Sequence, residues 1–185
     1  MSKKKNGFAV PAKQMGYGVV VRNTGSSYVV RLDGGETVNC RIKGNFRIKG
    51  IRTTNPVAVG DVVSVCEAAD DADFITAIKP RRNYIIRRAS NLSKESHILA
   101  ANLDQTLLVA TLREPQTTTT FIDRFLATAE AYAVPAVLVL NKCDAWDEDD
   151  REVAEALKTL YSSIGYPVAA VSAKTGEGLG ILTEM

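Results

Sequence analysis

Hydrophobic and polar positions change rhythm once along this chain, near residue 100. From Tyr17 the apolar residues fall in short runs separated by turn formers. Tyr17-Gly18-Val19-Val20-Val21-Arg22 is rich in β-branched residues and stops at Asn23-Thr24-Gly25-Ser26. Tyr28-Val29-Val30-Arg31-Leu32 stops at Asp33-Gly34-Gly35, and Thr37–Ile42 then alternates, with Val38, Cys40 and Ile42 on one face. Val62–Val65 and Phe74–Ile78 read as two more strands. Gly25 and the Gly34-Gly35 pair supply the positive φ that hairpin turns require. Short strands at this spacing between residues 15 and 80 predict an OB-like Greek-key barrel, an architecture often used to bind oligonucleotides.

The second rhythm alternates strands with helices. Asp104–Ala110 reads as a buried strand. Residues 119–133 place Ile122, Phe125, Leu126, Ala129 and Ala133 at helical spacing. Pro135–Leu140 is a second buried strand. A second helix starts in the acidic run Asp147–Asp150, buries Val153, Leu157, Leu160 and Ile164, and ends near Gly165. Val168–Val171 is a third strand. Strand–helix alternation implies a parallel sheet, whose ligands gather at the carboxyl ends of the strands. The fold class is therefore all-β followed by α/β.

Charge divides the chain at the same place. The overall net charge is +2, but residues 1–95 carry +9 and residues 96–185 carry −7. A basic half points to a polyanionic partner. Arg41, Lys43, Phe46, Arg47, Lys49 and Arg52 interleave cations with an aromatic, a pattern able to bind phosphates and stack on a base. Lys79, Arg81, Arg82, Arg87 and Arg88 form a second cluster. A solvated charged face is the plain alternative for both. The loop Glu67–Asp73 is acidic and repels phosphate, so RNA contact is expected from residues 41–52. The expected organisation is a disordered basic tail over 1–14, an RNA-binding barrel over 15–80, a basic linker over 81–98 and an α/β domain over 99–185.

Other features set limits. No run of about 18 apolar residues is present, so no membrane span or membrane partner is expected. Met1-Ser2-Lys3-Lys4-Lys5 has no apolar core behind its lysines and is not a secretory signal. Cys40, Cys66 and Cys143 lie far apart without a Cys-x-x-Cys pair, which suits free thiols in a cytoplasmic protein and no metal site in this chain. His97, the single histidine, lacks a Ser/Asp or Cys partner arrangement, so a structural or surface role is expected. Asp147–Asp150 suits a helix N-terminus better than a metal site, Thr117–Thr120 suits a loop and N-cap, and Trp146 suits packing.

The chemistry gathers at two strand ends. Asn141-Lys142-Cys143-Asp144 follows the second strand, and Ser172-Ala173-Lys174 follows the third. These match the Asn-Lys-x-Asp and Ser-Ala-Lys motifs that read guanine in GTPases. Guanine offers adjacent N1–H and 2-amino donors, which the Asp144 carboxylate accepts together. Its O6 acceptor suits the Ala173 backbone N–H, and the Asn141 amide reaches N7 and ties the loops. The stems of Lys142 and Lys174 cover the two faces of the base. Each charged hydrogen bond is worth about 1.5–3 kcal/mol, and adenine would set an acceptor against Asp144. No Gly-x-x-x-x-Gly-Lys-Ser/Thr phosphate loop occurs. In an ordinary GTPase that loop precedes the guanine motifs, so the order is expected to be permuted, with the loop beyond Met185.

The basic barrel, then Asn102-Leu103-Asp104-Gln105, Phe121-Ile122-Asp123-Arg124-Phe125, Asn141–Asp144 and Val171-Ser172-Ala173-Lys174-Thr175-Gly176-Glu177-Gly178 resemble the RsgA/YjeQ family. The resemblance spans residues 15–185. It implies a circularly permuted, P-loop-type GTPase that binds GTP, acts with the small ribosomal subunit and 16S rRNA, and works as a monomer. In that family the phosphate loop, the switch regions and a zinc-binding domain follow the guanine motifs. The Mg2+ and Zn2+ sites it implies therefore lie outside this chain, no catalytic residue is assigned within it, and the chain alone is expected not to hydrolyse GTP. The rival reading is a non-enzymatic RNA-binding module with a degenerate α/β domain.

Overall fold

Strict alternation of inward and outward side chains closes the first five strands on themselves. The computed structural model describes residues 13–42, 56–67, 73–88 and 96–185. Strands β1 (Gln14–Asn23), β2 (Tyr28–Leu32), β3 (Thr37–Ile42), β4 (Val62–Cys66) and β5 (Asp73–Ile78) form a closed barrel in the order β1-β2-β3-β5-β4. β3 and β5 run parallel, and the other neighbours, including the closing pair β1–β4, run antiparallel. Val20, Tyr28, Val30, Cys40, Val63, Val65 and Ile75 fill the interior. Full burial of such a side chain contributes about 1.5–3 kcal/mol. Val38 and Ile42 pack against this core beside Cys40, so the face expected for β3 is the inner one.

Three glycines shape the barrel. Gly25 has φ +88° and Gly35 has φ +91°, so Gly35, not Gly34, carries the positive φ of its turn. A Cβ on Gly18 would lie 2.7 Å from the Arg31 carbonyl oxygen, which only glycine tolerates. Two residues later the β1–β2 register slips between Val20 and Arg22, and the extra residue, Val21, points outward.

The stretch expected as a basic linker contains strand β6 (Tyr84–Arg88) and the start of β7 (Ser96–Ala101), which pair in a two-stranded sheet. Its charge masks β-formers: Tyr84-Ile85-Ile86 and Ile98-Leu99 are apolar runs long enough for a strand. Arg81, expected on a basic surface, instead has its side chain largely covered. Its Nε and Nη2 donate to the fully buried Asp61 carboxylate at 2.7 and 2.6 Å, and Nη2 also donates to the Pro56 carbonyl at 2.9 Å. Asp61 further accepts the Ala58 N–H at 2.8 Å. The basic tail through residue 12, the segment 43–55, the acidic stretch 68–72 and residues 89–95 lie outside the described residues.

The chain divides into two compact units, Met1–Arg82 with Ile86–Asn102 and Asn83–Ile85 with Leu103–Met185. The second is the α/β unit. Strands β8 (Thr106–Thr111), β9 (Ala136–Asn141) and β10 (Val168–Ala170) form a parallel sheet in the order β10-β9-β8, with helices α1 (Thr119–Ala131), α2 (Glu148–Ser163) and α3 (Leu179–Glu184). β9 is central, and residues 136–140 are buried throughout. α1 and α2 share one face of the sheet, where Ile122, Leu126, Ala129, Ala154 and Tyr161 meet Leu108, Leu138 and Leu140. Leu182 of α3 packs on the opposite face against Val137, Val139, Ala169 and Val171.

Three expectations need correction here. β8 is covered on one face only: Leu108 and Ala110 are buried on the helical side, while Leu107 and Val109, in register with Val137 and Val139 on the opposite face, are exposed. The buried stripe of α2 runs Asp150, Ala154, Leu157, Tyr161, not through Val153, Leu160 and Ile164, which are exposed. Tyr161 decides that rotation: its ring enters the core and its hydroxyl donates to Asp123 Oδ1 at 2.8 Å. Ala133 lies beyond the end of α1 at φ +54° and is exposed; its N–H donates to the Glu130 carbonyl and its carbonyl accepts from Asn83 Nδ2, both at 3.0 Å.

Candidate functional site

Parallel pairing of β9 with β10 brings their carboxyl ends side by side. Leu140 is in register with Ala170, and the pairing extends past the strands through Val171 N–H to the Leu140 carbonyl at 2.9 Å. The chain then turns sharply at Lys142, which adopts a left-handed φ of +70°, and enters a 3-10 turn over Cys143–Ala145. Cys143 N–H donates to the Val171 carbonyl at 3.1 Å, which docks this turn onto the β10 end. Asp147 closes it as the N-cap of α2, in a reciprocal capping box with Asp150. The acidic run therefore serves a helix N-terminus, as expected. Among the described residues no three His, Cys, Asp or Glu side chains cluster to hold a metal ion.

The second loop closes on itself. Gly176 N–H donates to the Ser172 carbonyl and Ser172 N–H to the Glu177 carbonyl, both at 2.9 Å. Gly178 takes φ +72° and lies so close to β10 that a Cβ would stand 2.3 Å from the Ala170 carbonyl oxygen. Only glycine passes there.

Side chains then link the two loops. Ser172 Oγ donates to Asp144 Oδ1 at 2.6 Å and accepts the Thr175 N–H at 3.1 Å. Asn141 Oδ1 accepts the Ala173 N–H at 3.0 Å. Lys174 Nζ lies 3.8 Å from Asp144 Oδ2 and is otherwise solvent-exposed. The Ser172 hydroxyl, then the backbone N–H of Asp144 and the nearby lysines, hold the Asp144 carboxyl below its ordinary value against partial burial, so it is an anion at neutral pH. Burial, and then Glu177, pushes the Cys143 thiol up, which keeps it neutral. The arrangement presents a fixed carboxylate with one oxygen already satisfied and the other facing an exposed lysine.

Of the six guanine candidates, Asn141, Asp144, Ser172, Ala173 and Lys174 come together in this network. Lys142 points elsewhere: its ammonium donates to the Glu114 carbonyl, in the segment between β8 and α1. In that same segment Arg113 donates to Asp147 Oδ2 at 2.8 Å and to Asp150 Oδ1 at 2.7 Å. Sequence reading passes over Arg113 because a lone arginine in a polar loop has no periodic or motif signal. Trp146 packs against the helical face of the core, Thr118 is the N-cap of α1, and His97 is exposed. Of the RNA candidates, Arg41 is exposed on β3 opposite Phe74 of β5, while Lys43, Phe46, Arg47, Lys49 and Arg52 lie outside the described residues. From the second basic cluster, Lys79 places Nζ 3.7 Å from the centroid of the half-exposed Tyr17 ring.

A closed OB-like barrel and a parallel GTPase-like sheet with two cross-linked loops at adjacent strand ends define the class of protein. The family model described as RsgA GTPase matches residues 78–185, and that described as RsgA N-terminal domain matches residues 17–75. The chain belongs to the RsgA GTPase family. It is 59% identical over 167 residues to the small ribosomal subunit biogenesis GTPase RsgA of Bacteroides fragilis strain YCH46, covering 90% of this chain and 54% of that protein. It is 60% identical over 164 residues to the protein of the same name from Porphyromonas gingivalis strain W83, covering 88% and 52%. The chain thus spans about half the length of the curated relatives it matches. Among solved structures, YjeQ from Thermotoga maritima is similar with a TM-score of 0.69 at 33% identity, covering 91% of this chain and 55% of that one. YloQ, described as a circularly permuted GTPase, is similar with a TM-score of 0.64 at 25% identity, covering 96% and 57%.

Proposed function

We propose that this chain supplies the RNA-docking barrel and the guanine-reading loops of a GTPase of small ribosomal subunit biogenesis. The carrying observation is the Ser172–Asp144 bond, which anchors a carboxylate where two strand-end loops meet. In this reading Asp144 accepts the N1–H and 2-amino donors of guanine. The Ala173 N–H, now on Asn141, is shared with or passed to O6, and Lys174 swings from Asp144 to lie over the base. Base binding supplies recognition and orientation. Phosphoryl transfer depends on a phosphate loop and Mg2+; no Gly-x-x-x-x-Gly-Lys-Ser/Thr stretch occurs in this sequence, and the part these two loops play in the reaction is to place the nucleotide. The basic barrel docks on 16S rRNA through Arg41 and residues 43–52, and the protein works in the cytoplasm as a monomer.

The test is a pair of nucleotide titrations on a version extended to the length of the relatives. Asp144→Asn sets an amide donor against the 2-amino group of guanine, which costs about 1–3 kcal/mol. Xanthine carries a carbonyl there. The mutant should prefer XTP over GTP, and an unchanged GTP-over-XTP ratio would refute the assignment.

A further inference from the structure

The segment between β8 and α1 carries none of the guanine candidates, yet it grips the Asn141–Asp147 turn at both ends. At the start of the turn, Lys142 donates its ammonium to the Glu114 carbonyl. At its end, the adjacent residue Arg113 bonds Asp147 through Nη2 and Asp150 through Nε. Asp147 and Asp150 are the two halves of the α2 capping box, and the Asp150 side chain is 7% exposed. Asp144 lies between these two anchors.

The gripping segment is itself closed. Thr111 N–H donates to Thr117 Oγ1 at 3.1 Å, Thr117 N–H donates to the Thr111 carbonyl at 2.9 Å, and Thr111 Oγ1 donates to the Pro115 carbonyl. Arg113 and Glu114 therefore project from a loop bonded across its base. The turn they hold needs such support, because Lys142 is a non-glycine residue in the left-handed region, a costly conformation that persists only when its surroundings impose it. Arginine suits the task, since its rigid planar fork presents one N–H to each carboxylate in a fixed geometry, whereas lysine offers a point charge on a flexible stem.

We propose that Arg113 is a positioning residue for base recognition: it holds the Asp144 turn in its reading conformation without touching the nucleotide. This rests on the guanine reading of Asp144. It separates two roles along one stretch of chain, with Asp144 and Ala173 facing the base and the Arg113–Asp147–Asp150 triad setting the angle at which Asp144 meets it.

The experiment compares GDP and IDP binding in a version extended to the length of the relatives. Inosine lacks the 2-amino group, so the GDP-over-IDP ratio reports how well Asp144 engages the base, and a general loss of stability lowers both affinities alike. Arg113→Ala should shrink that ratio about tenfold, and Arg113→Lys, which keeps one charged bond, should fall between Arg113→Ala and the parent. An unchanged ratio, or equal weakening of GDP and IDP, overturns the proposal. If Arg113→Ala does not fold, Arg113→Lys is read by the same criteria. Asp144→Asn is titrated beside them. If it leaves the ratio at the parent value, the guanine reading itself has failed. If it collapses the ratio while the Arg113 variants do not, only the positioning role has failed.

Discussion

Ser172 Oγ stands 2.6 Å from Asp144 Oδ1 and donates to it across two loops that are 28 residues apart in sequence. The serine is fully buried, so its hydroxyl has no solvent alternative, and its lone pair is used as well, by the Thr175 N–H. One side chain thereby shapes its own loop and orients the carboxylate of the other.

Ser172→Ala should therefore have two separable effects. Thermal or denaturant unfolding should show a loss of about 1–2 kcal/mol, because Thr175 N–H and Asp144 each lose a partner. The Asp144 carboxyl, followed by NMR through an acid titration, should move up toward the ordinary aspartate value of 3.8. In the parent its value is depressed, so the stability it contributes is complete above 3.8 and is lost only as the pH falls through the lower folded value. Removing the serine should narrow that acid window. An Asp144 titration identical in mutant and parent would mean that the bond does not form in solution.

At high pH the sign reverses. Burial, and then the Asp123 carboxylate that its hydroxyl bonds, push the Tyr161 phenol from 10.0 up to about 12. A neutral group favoured by folding contributes stability that is complete below pH 10 and is lost between about pH 10 and 12. Tyr161→Phe should flatten that part of the alkaline unfolding curve of the α/β unit. A slope that survives the substitution would place the alkaline sensitivity elsewhere.

Arg81→Ala should cost the barrel-containing unit about 3–5 kcal/mol, because it leaves the Asp61 carboxylate buried without its cation. Arg82→Ala, one residue along at an exposed position, should cost far less. Denaturant melts of the two single mutants decide this, and equal costs would show that burial of the Arg81–Asp61 pair does not matter.

RNA binding should be governed by phosphate contacts and so fall steeply with salt. Replacing Arg47, Lys49 and Arg52 together with Ala should flatten the slope of log affinity against log salt by roughly two to three. Replacing Arg124, Arg151 and Lys158, exposed on α1 and α2, should leave it nearly unchanged. Matching slopes for the two triple mutants would remove the barrel from the interface.

Much of this was legible in the residues because the governing physics is local. The five barrel strands follow from period-two alternation and turn glycines, and the parallel sheet follows from strand–helix alternation. The two motifs announce themselves because guanine demands particular side chains at strand ends. Tertiary structure decided the rest. Periodicity gave α2 a stripe through Val153, Leu160 and Ile164, but burial of Tyr161 and Asp150 turned the helix by about one residue. β8 carries the apolar run Leu107–Ala110, yet only its helical side is covered, which leaves Leu107 and Val109 exposed. Arg81 belongs to a basic run and its side chain is nonetheless largely covered, because Asp61, 20 residues away, gives it a partner. Arg113 shows no local signal, since its role exists only once Asp147 and Asp150 are folded beside it. Patterns spaced along the chain report which face is apolar and which chemistry is present. Which charged groups meet, and which apolar face is covered, depend on contacts between residues distant in sequence.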